Sequence, residues 1–127
     1  MSTLTITVRP QQNPAGSSEI TLALAGNLDN STVASFEAQL LPVLAGQPQQ
    51  LILDLRELQF LISAGIRLFL IAAKQQKRHG GHVAFVNLQP QIKEVFKIMG
   101  SIQDLRIFKD QAELDAYLLA RQRTYQQ

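Results

Sequence analysis

Ser63 stands between a short apolar segment, Phe60-Leu61-Ile62, and a longer one that opens at Ile66. A serine hydroxyl there has two chemistries open to it. It can accept a backbone N–H at the start of a helix, or it can take a phosphoryl group. The second adds about −1.5 to −2 charge near neutral pH and would lie at the positive end of that helix. Arg67, four residues on, is within a helical turn of such a charge; it could steady a phosphate or stand solvated. Asp29, in Gly26-Asn27-Leu28-Asp29-Asn30-Ser31-Thr32, is placed to cap a helix, and Asp54 to hydrogen-bond the turn after its own segment. His79-Gly80-Gly81-His82 has the look of a metal pair. With two His and no Cys in the chain a third ligand is lacking, and no metal site is expected. His79 is more simply a favourable charge at a helix C-terminus.

Catalysis finds little material. Ser63-Ala64-Gly65 has no glycine at nucleophile-elbow spacing, and the chain has neither a glycine-rich phosphate loop nor a GxGxxG run. The lack of cysteine removes thiolate chemistry, disulfides and Cys-based clusters. The expectation is a protein that is no enzyme, with no catalytic residues and no cofactor.

The elements that must position Ser63 follow from periodicity. Leu4, Ile6 and Val8 alternate with Thr3, Thr5 and Thr7, which predicts a half-buried strand. A loop from 10 to 18, rich in Pro, Gly and Ser, leads to a second strand with Ile20, Leu22 and Leu24, so the two can form an antiparallel hairpin. Gly26 and Asn27 are expected to break that strand. Residues 29–32 offer helix caps, and Val33, Phe36, Leu40 and Leu44 recur at helical spacing; Pro42 should kink or shorten that helix. Residues 50–55 read as a short buried strand and 56–60 as a connection. A strongly apolar helix opens at 63–65 and closes in Lys74, Lys77, Arg78 and His79 before Gly80-Gly81. Residues 82–87 form a strand, Pro90 opens a short helix with Ile92, Val95 and Phe96, 105–108 a last strand, and Asp110 caps a last helix. The order ββαβαβαβα predicts a single α/β domain over 1–122. It comprises one mixed sheet of about five strands, an N-terminal antiparallel hairpin followed by alternating β and α, with four helices. Residues 123–127 are expected to fray.

The 127 residues suit one domain. A hydrophobic share of 46% against 17% charged is that of a globular chain rather than a disordered one. A net charge of +2 without a concentrated basic face argues against nucleic acid. The apolar run from Ile66 to Ala73 is too short to span a bilayer, and burial explains it better than a membrane surface. The N-terminus has no secretion pattern; a cytoplasmic protein is expected.

The run Leu51 to Gly65, an apolar strand ending in Asp54 and leading through Phe60-Leu61-Ile62-Ser63-Ala64-Gly65, resembles the central signature of the STAS domain. Gly26-Asn27-Leu28-Asp29 resembles that family's G-x-L-D turn. Residues 80–87 resemble its G-G strand, residues 95–100 its helix end, and Ile107-Phe108-Lys109-Asp110 its close. The motifs cover nearly the whole chain in the right order.

The resemblance implies the STAS fold and a bacterial anti-sigma factor antagonist, which switches transcription by binding an anti-sigma factor that is also a serine protein kinase. It implies phosphorylation of the serine that maps to Ser63, and release of the partner once phosphate is added. The implied partner surface comprises Asn27, Asp29, Phe60, Ile62, Ser63, Ala64, Gly65 and Arg67. Here the sequence departs from the family: its Asp before the serine is Ile62, and a usually small or aliphatic position is Arg67. Ile62 is either core or an exposed contact for a partner. Two rivals follow, a phosphorylation-independent scaffold or interaction module, and a domain for a small ligand or lipid, which would need an apolar cavity. Homodimer formation stays open.

Overall fold

The computed structural model describes residues 3–12, 16, 18–99 and 106–125. Strands β1 (Leu4–Gln12) and β2 (Ser18–Leu28) form the N-terminal hairpin. They are followed by α1 (Val33–Ala45), β3 (Gln50–Leu61), α2 (Ser63–Arg78), β4 (His82–Val86), α3 (Pro90–Met99), β5 (Arg106–Phe108) and α4 (Gln111–Tyr125). The sheet order is β1-β2-β3-β4-β5. β1 pairs antiparallel with β2, and every later pair is parallel. The expected five strands and four helices are all present.

Alternation decides which side chains face which layer. Leu51, Leu53 and Leu55 of β3 point into the main core with Leu22, Leu24 and Leu28 of β2, beneath α1, α2 and α3. Aromatic rings join these layers. Phe69 of α2 lies 5.7 Å from Phe36 of α1 and 5.1 Å from Phe85 of β4, and Phe85 lies 5.4 Å from Phe96 of α3. The opposite face carries a smaller cluster of Ile52, Ala84 and Val86, which α4 covers with Leu114 and Leu118.

Four local expectations change. β2 does not stop at Gly26-Asn27 but runs to Leu28, and β3 does not stop at Leu55 but runs to Leu61. The two extensions pair with each other across register shifts at Ala23/Ala25 and Gly26/Asn27. A β-bulge inserts residues without ending a strand. This is why the buried positions Leu55, Leu58 and Leu61 fall three apart instead of two. Gly26 takes φ +113° there, a conformation glycine adopts without strain. Pro42 does not end α1, which continues to Ala45. β1 extends through Pro10 to Gln12, an outer-strand position where a missing N–H costs no ladder bond. Gly100, expected to end α3, and Leu105, expected to open the last strand, lie outside the described residues.

Candidate functional site

The ends of β2 and β3 emerge side by side, and this builds the corner that the sequence pointed to. Asn27 pairs with Phe60 and Leu28 with Leu61. The Ile62 N–H then donates to the Leu28 carbonyl at 3.1 Å, so the chain entering α2 is tied to the chain leaving β2. Asn27, Asp29 and residues 60–65 thereby share one end of the sheet.

The turn after β2 is held by its own polar side chains. The Asp29 carboxylate accepts from the Ser31 N–H at 2.9 Å and the Ser31 hydroxyl at 2.7 Å. The Thr32 hydroxyl donates to the Asn27 carbonyl at 2.8 Å and accepts from the Asp29 N–H at 3.0 Å. The N-cap position of α1 belongs to Thr32, and Asp29 shapes the turn three residues earlier. Thr32 is buried and was not singled out as a site residue. Its only signal was membership of a Ser/Thr/Asn/Asp run, which fits any turn.

Ser63 differs from expectation in one respect. It is the first residue of α2 and not its cap: Ile62 occupies the N-cap with extended backbone (φ −98°, ψ 167°), and no side chain caps the helix. The Ile62 carbonyl accepts from the Gly65 and Ile66 N–H groups at 3.0 and 3.3 Å. Ser63 is exposed, as are Phe60 (52%) and Arg67, while Ile62 and Ala64 are half-buried. The Ser63 oxygen therefore sits on an accessible corner at the positive end of a 16-residue helix with no acidic residue in its first turn.

Gly65 seats the helix. A Cβ there would stand 2.6 Å from Cδ2 of Leu28 and 2.8 Å from Cδ1 of Leu61, both buried. Only a glycine lets α2 come so close to the two strand ends.

The other candidates lie elsewhere. Asp54 sits mid-strand on the α4 side of the sheet, where its carboxylate accepts from the Asn87 amide at 3.0 Å and the Arg56 N–H at 3.1 Å and pairs with Arg9 at 3.5 Å. His79 ends α2 with its ring 2.9 Å from the Gln76 side-chain oxygen. Among the described residues no group of three His, Cys, Asp or Glu could hold a metal ion, and no helix is long and apolar enough to cross a membrane.

Comparison with known proteins bears on the fold and the family. The pattern of the STAS domain matches residues 9–114. BtrV of Bordetella bronchiseptica, described as a candidate anti-sigma factor antagonist, is 32% identical over 77 residues. That match covers 61% of this chain and 66% of BtrV, just under two thirds of its length. An anti-sigma factor antagonist from Mycobacterium paratuberculosis shares the fold with a TM-score of 0.73 at 20% identity, over 92% of this chain and 95% of that one. The Bacillus antagonist SpoIIAA in its unphosphorylated form superposes with a TM-score of 0.71 at 17% identity, over 89% of this chain and 96% of its own. With its five-stranded mixed sheet, its four helices and a family match over most of its length, the chain belongs to the STAS domain family.

Proposed function

We propose that the chain is an anti-sigma factor antagonist that works by binding and not by catalysis. It docks an anti-sigma factor with serine kinase activity through Asn27, Asp29, residues 60–65 and Arg67, and releases it when Ser63 is phosphorylated. The observation that carries this reading is the exposed Ser63 at the head of α2, three residues after the exposed Phe60 ring, whose strand position pairs with Asn27. Aromatic anchors of that kind are where binding energy concentrates. A phosphate beside such an anchor places about −1.5 to −2 charge in a surface that must be desolvated to bind. The names of BtrV and of the two solved antagonists support the partner class, and a SpoIIAA form designated unphosphorylated supports the switch.

The test is reconstitution with the cognate anti-sigma kinase and ATP. Intact mass and peptide mapping should place one phosphate on Ser63 and show loss of the complex, with Ser63→Ala still bound. A kinase that modifies a control substrate but leaves this chain at its unmodified mass overturns the switch.

A second reading, a scaffold that binds without being phosphorylated, is favoured by Ile62. Isoleucine is among the poorest N-cap residues, and α2 has no side-chain cap. A residue that forgoes local stability at a binding corner is retained for contact. A lipid-binding role has less support. The concavity of about 560 Å³ over Arg9, Thr21, Asp54, Asn87 and Gln111 is lined mostly by polar side chains, whereas a lipid needs an apolar chamber.

A further inference from the structure

The two outer strands of the sheet are finished differently. β5 has three residues, Arg106–Phe108, and so short an edge resists pairing with another chain. β1 has nine, Leu4–Gln12, and pairs with β2 without a register shift. Among the described residues no strand pairs with its outer side. From Leu4 to Val8 it reads Leu-Thr-Ile-Thr-Val, with no charge, no proline and no bulge. Those are the features by which sheets usually guard an edge, and uncharged β-branched runs without them are prone to pair. Protection begins only at Arg9 and Pro10, so the open stretch is bounded.

The ladder decides which backbone groups of β1 point outward. The Thr3 carbonyl accepts from the Asn27 N–H at 2.9 Å. In the register that sets Leu4 opposite Gly26, this makes Thr3 and Asn27 a hydrogen-bonded pair. Such pairs alternate with unbonded ones in an antiparallel ladder. Thr5, Thr7 and Arg9 therefore also turn their N–H and C=O groups towards β2, while Leu4, Ile6 and Val8 turn theirs outward. Pro10 falls in the outward set, where it forgoes no bond to β2. The side chains of Leu4 and Ile6 are half-buried against the core, and Val8, on the same face of the strand, is 44% exposed. Thr5 and Thr7 lie on the opposite face and are exposed.

We infer that this edge joins a second copy of the chain, β1 to β1 and antiparallel, about a two-fold axis at Ile6. The product is a continuous sheet of two five-stranded halves. One register satisfies the outward groups. Ile6 exchanges both bonds with Ile6 of the second copy, and Leu4 exchanges both with Val8 of the second copy on either side of the axis. On the core face Val8 then packs against Leu4 of the second copy, and on the other face Thr5 stands opposite Thr7. Aliphatic and Thr–Thr pairs across strands are stabilising, and no like charges face each other. Centring on Val8 would set Ile6 opposite Pro10, which lacks the N–H to bond it. Centring on Leu4 would leave Ile6 and Val8 opposite no residue of β1. A strand that complements itself is what an isologous dimer requires. A single strand pair buries less than the standard interface of about 1,200–2,000 Å², so this association belongs to the weak, concentration-dependent class. It does not rest on the Ser63 reading, because β2 stands between β1 and β3.

The test follows the full chain from about 10 μM to about 1 mM by sedimentation velocity and by amide hydrogen exchange read by NMR. Expected are a rise from the monomer's to a dimer's sedimentation coefficient and, in parallel, slower exchange at Leu4, Ile6 and Val8. Thr5 and Thr7, bonded to β2, should already be protected at the lowest concentration. Val8→Pro removes an outward N–H and leaves the ladder to β2 intact, as Pro10 does; association should weaken about tenfold or more. Thr5→Lys combined with Thr7→Lys changes two exposed side chains and sets like charges opposite each other across the axis. It should weaken association to a similar extent, and it keeps the proposal testable if Val8→Pro does not fold. A monomer at every concentration overturns self-pairing and leaves the edge to a strand of another protein. A dimer in which Leu4, Ile6 and Val8 exchange as fast as in the monomer, or one undiminished by the paired lysine substitutions, uses another surface and overturns it as well.

Discussion

Ile62 is the residue where local stability and binding pull in different directions. Its backbone takes the N-cap of α2 and its side chain cannot cap. Replacing it with Asp supplies the missing cap, a gain of about 1 kcal/mol. The same change removes a half-buried aliphatic side chain. Full burial of such a group gives about 1.5–3 kcal/mol, so roughly half of that is lost. The two terms nearly cancel, and Ile62→Asp is expected to shift urea-unfolding stability by no more than about 1 kcal/mol. Its effect on a partner is not offset in the same way. If the side chain is a contact, affinity for the anti-sigma factor should drop by about tenfold or more in calorimetry; an unchanged dissociation constant would remove Ile62 from the interface.

At the scale of elements, the corner exists because α2 is pressed against the ends of β2 and β3. Gly65→Ala tests that contact. Helix propensity favours alanine by about 1 kcal/mol. The added methyl, however, would meet the buried Leu28 and Leu61 side chains at 2.6 and 2.8 Å, and overpacking of that kind costs about 1–3 kcal/mol. The expected outcome is a net loss of stability, read as a lower denaturation midpoint. A midpoint equal to or above that of the parent would mean that α2 does not need this close approach. The same elements show why the corner was only half legible beforehand. The G-N-L-D turn and the run at 60–65 could each be read as local features. Their adjacency depends on parallel pairing of Asn27 with Phe60, 33 residues apart, and on bulges that break the period-two pattern in β3. The sequence therefore reads as a strand that ends at Leu55, while hydrogen bonds from β2 carry it to Leu61.

For the whole molecule, the candidate site and the core occupy separate places. The Ser63 corner lies where β2 and β3 end. Stability resides away from it, in the core joined by Phe36, Phe69, Phe85 and Phe96. A charge placed at Ser63 should then leave the fold untouched. Ser63→Glu adds an acidic group to a first turn that has none, a favourable change of about 0.3–1 kcal/mol. The melting temperature should hold or rise slightly while partner affinity falls by about tenfold or more. A marked fall in melting temperature would show that the corner is structural rather than a switch, and full affinity at an unchanged melting temperature would show that negative charge at this position does not expel the partner.

Alternating and helical periodicities are local properties. By themselves they determined the order of nine elements, the hairpin and the apolar faces, and the resemblance to the STAS signature is what singled out Ser63. Tertiary structure alone decided that Ile62 rather than Ser63 takes the cap, that Thr32 rather than Asp29 heads α1, and that Gly65 seats α2 against Leu28 and Leu61. Each of these depends on groups that chain distance separates and packing reunites. A cap is set by where the preceding strand's last hydrogen bond falls, and a close helix approach by which strand ends lie side by side.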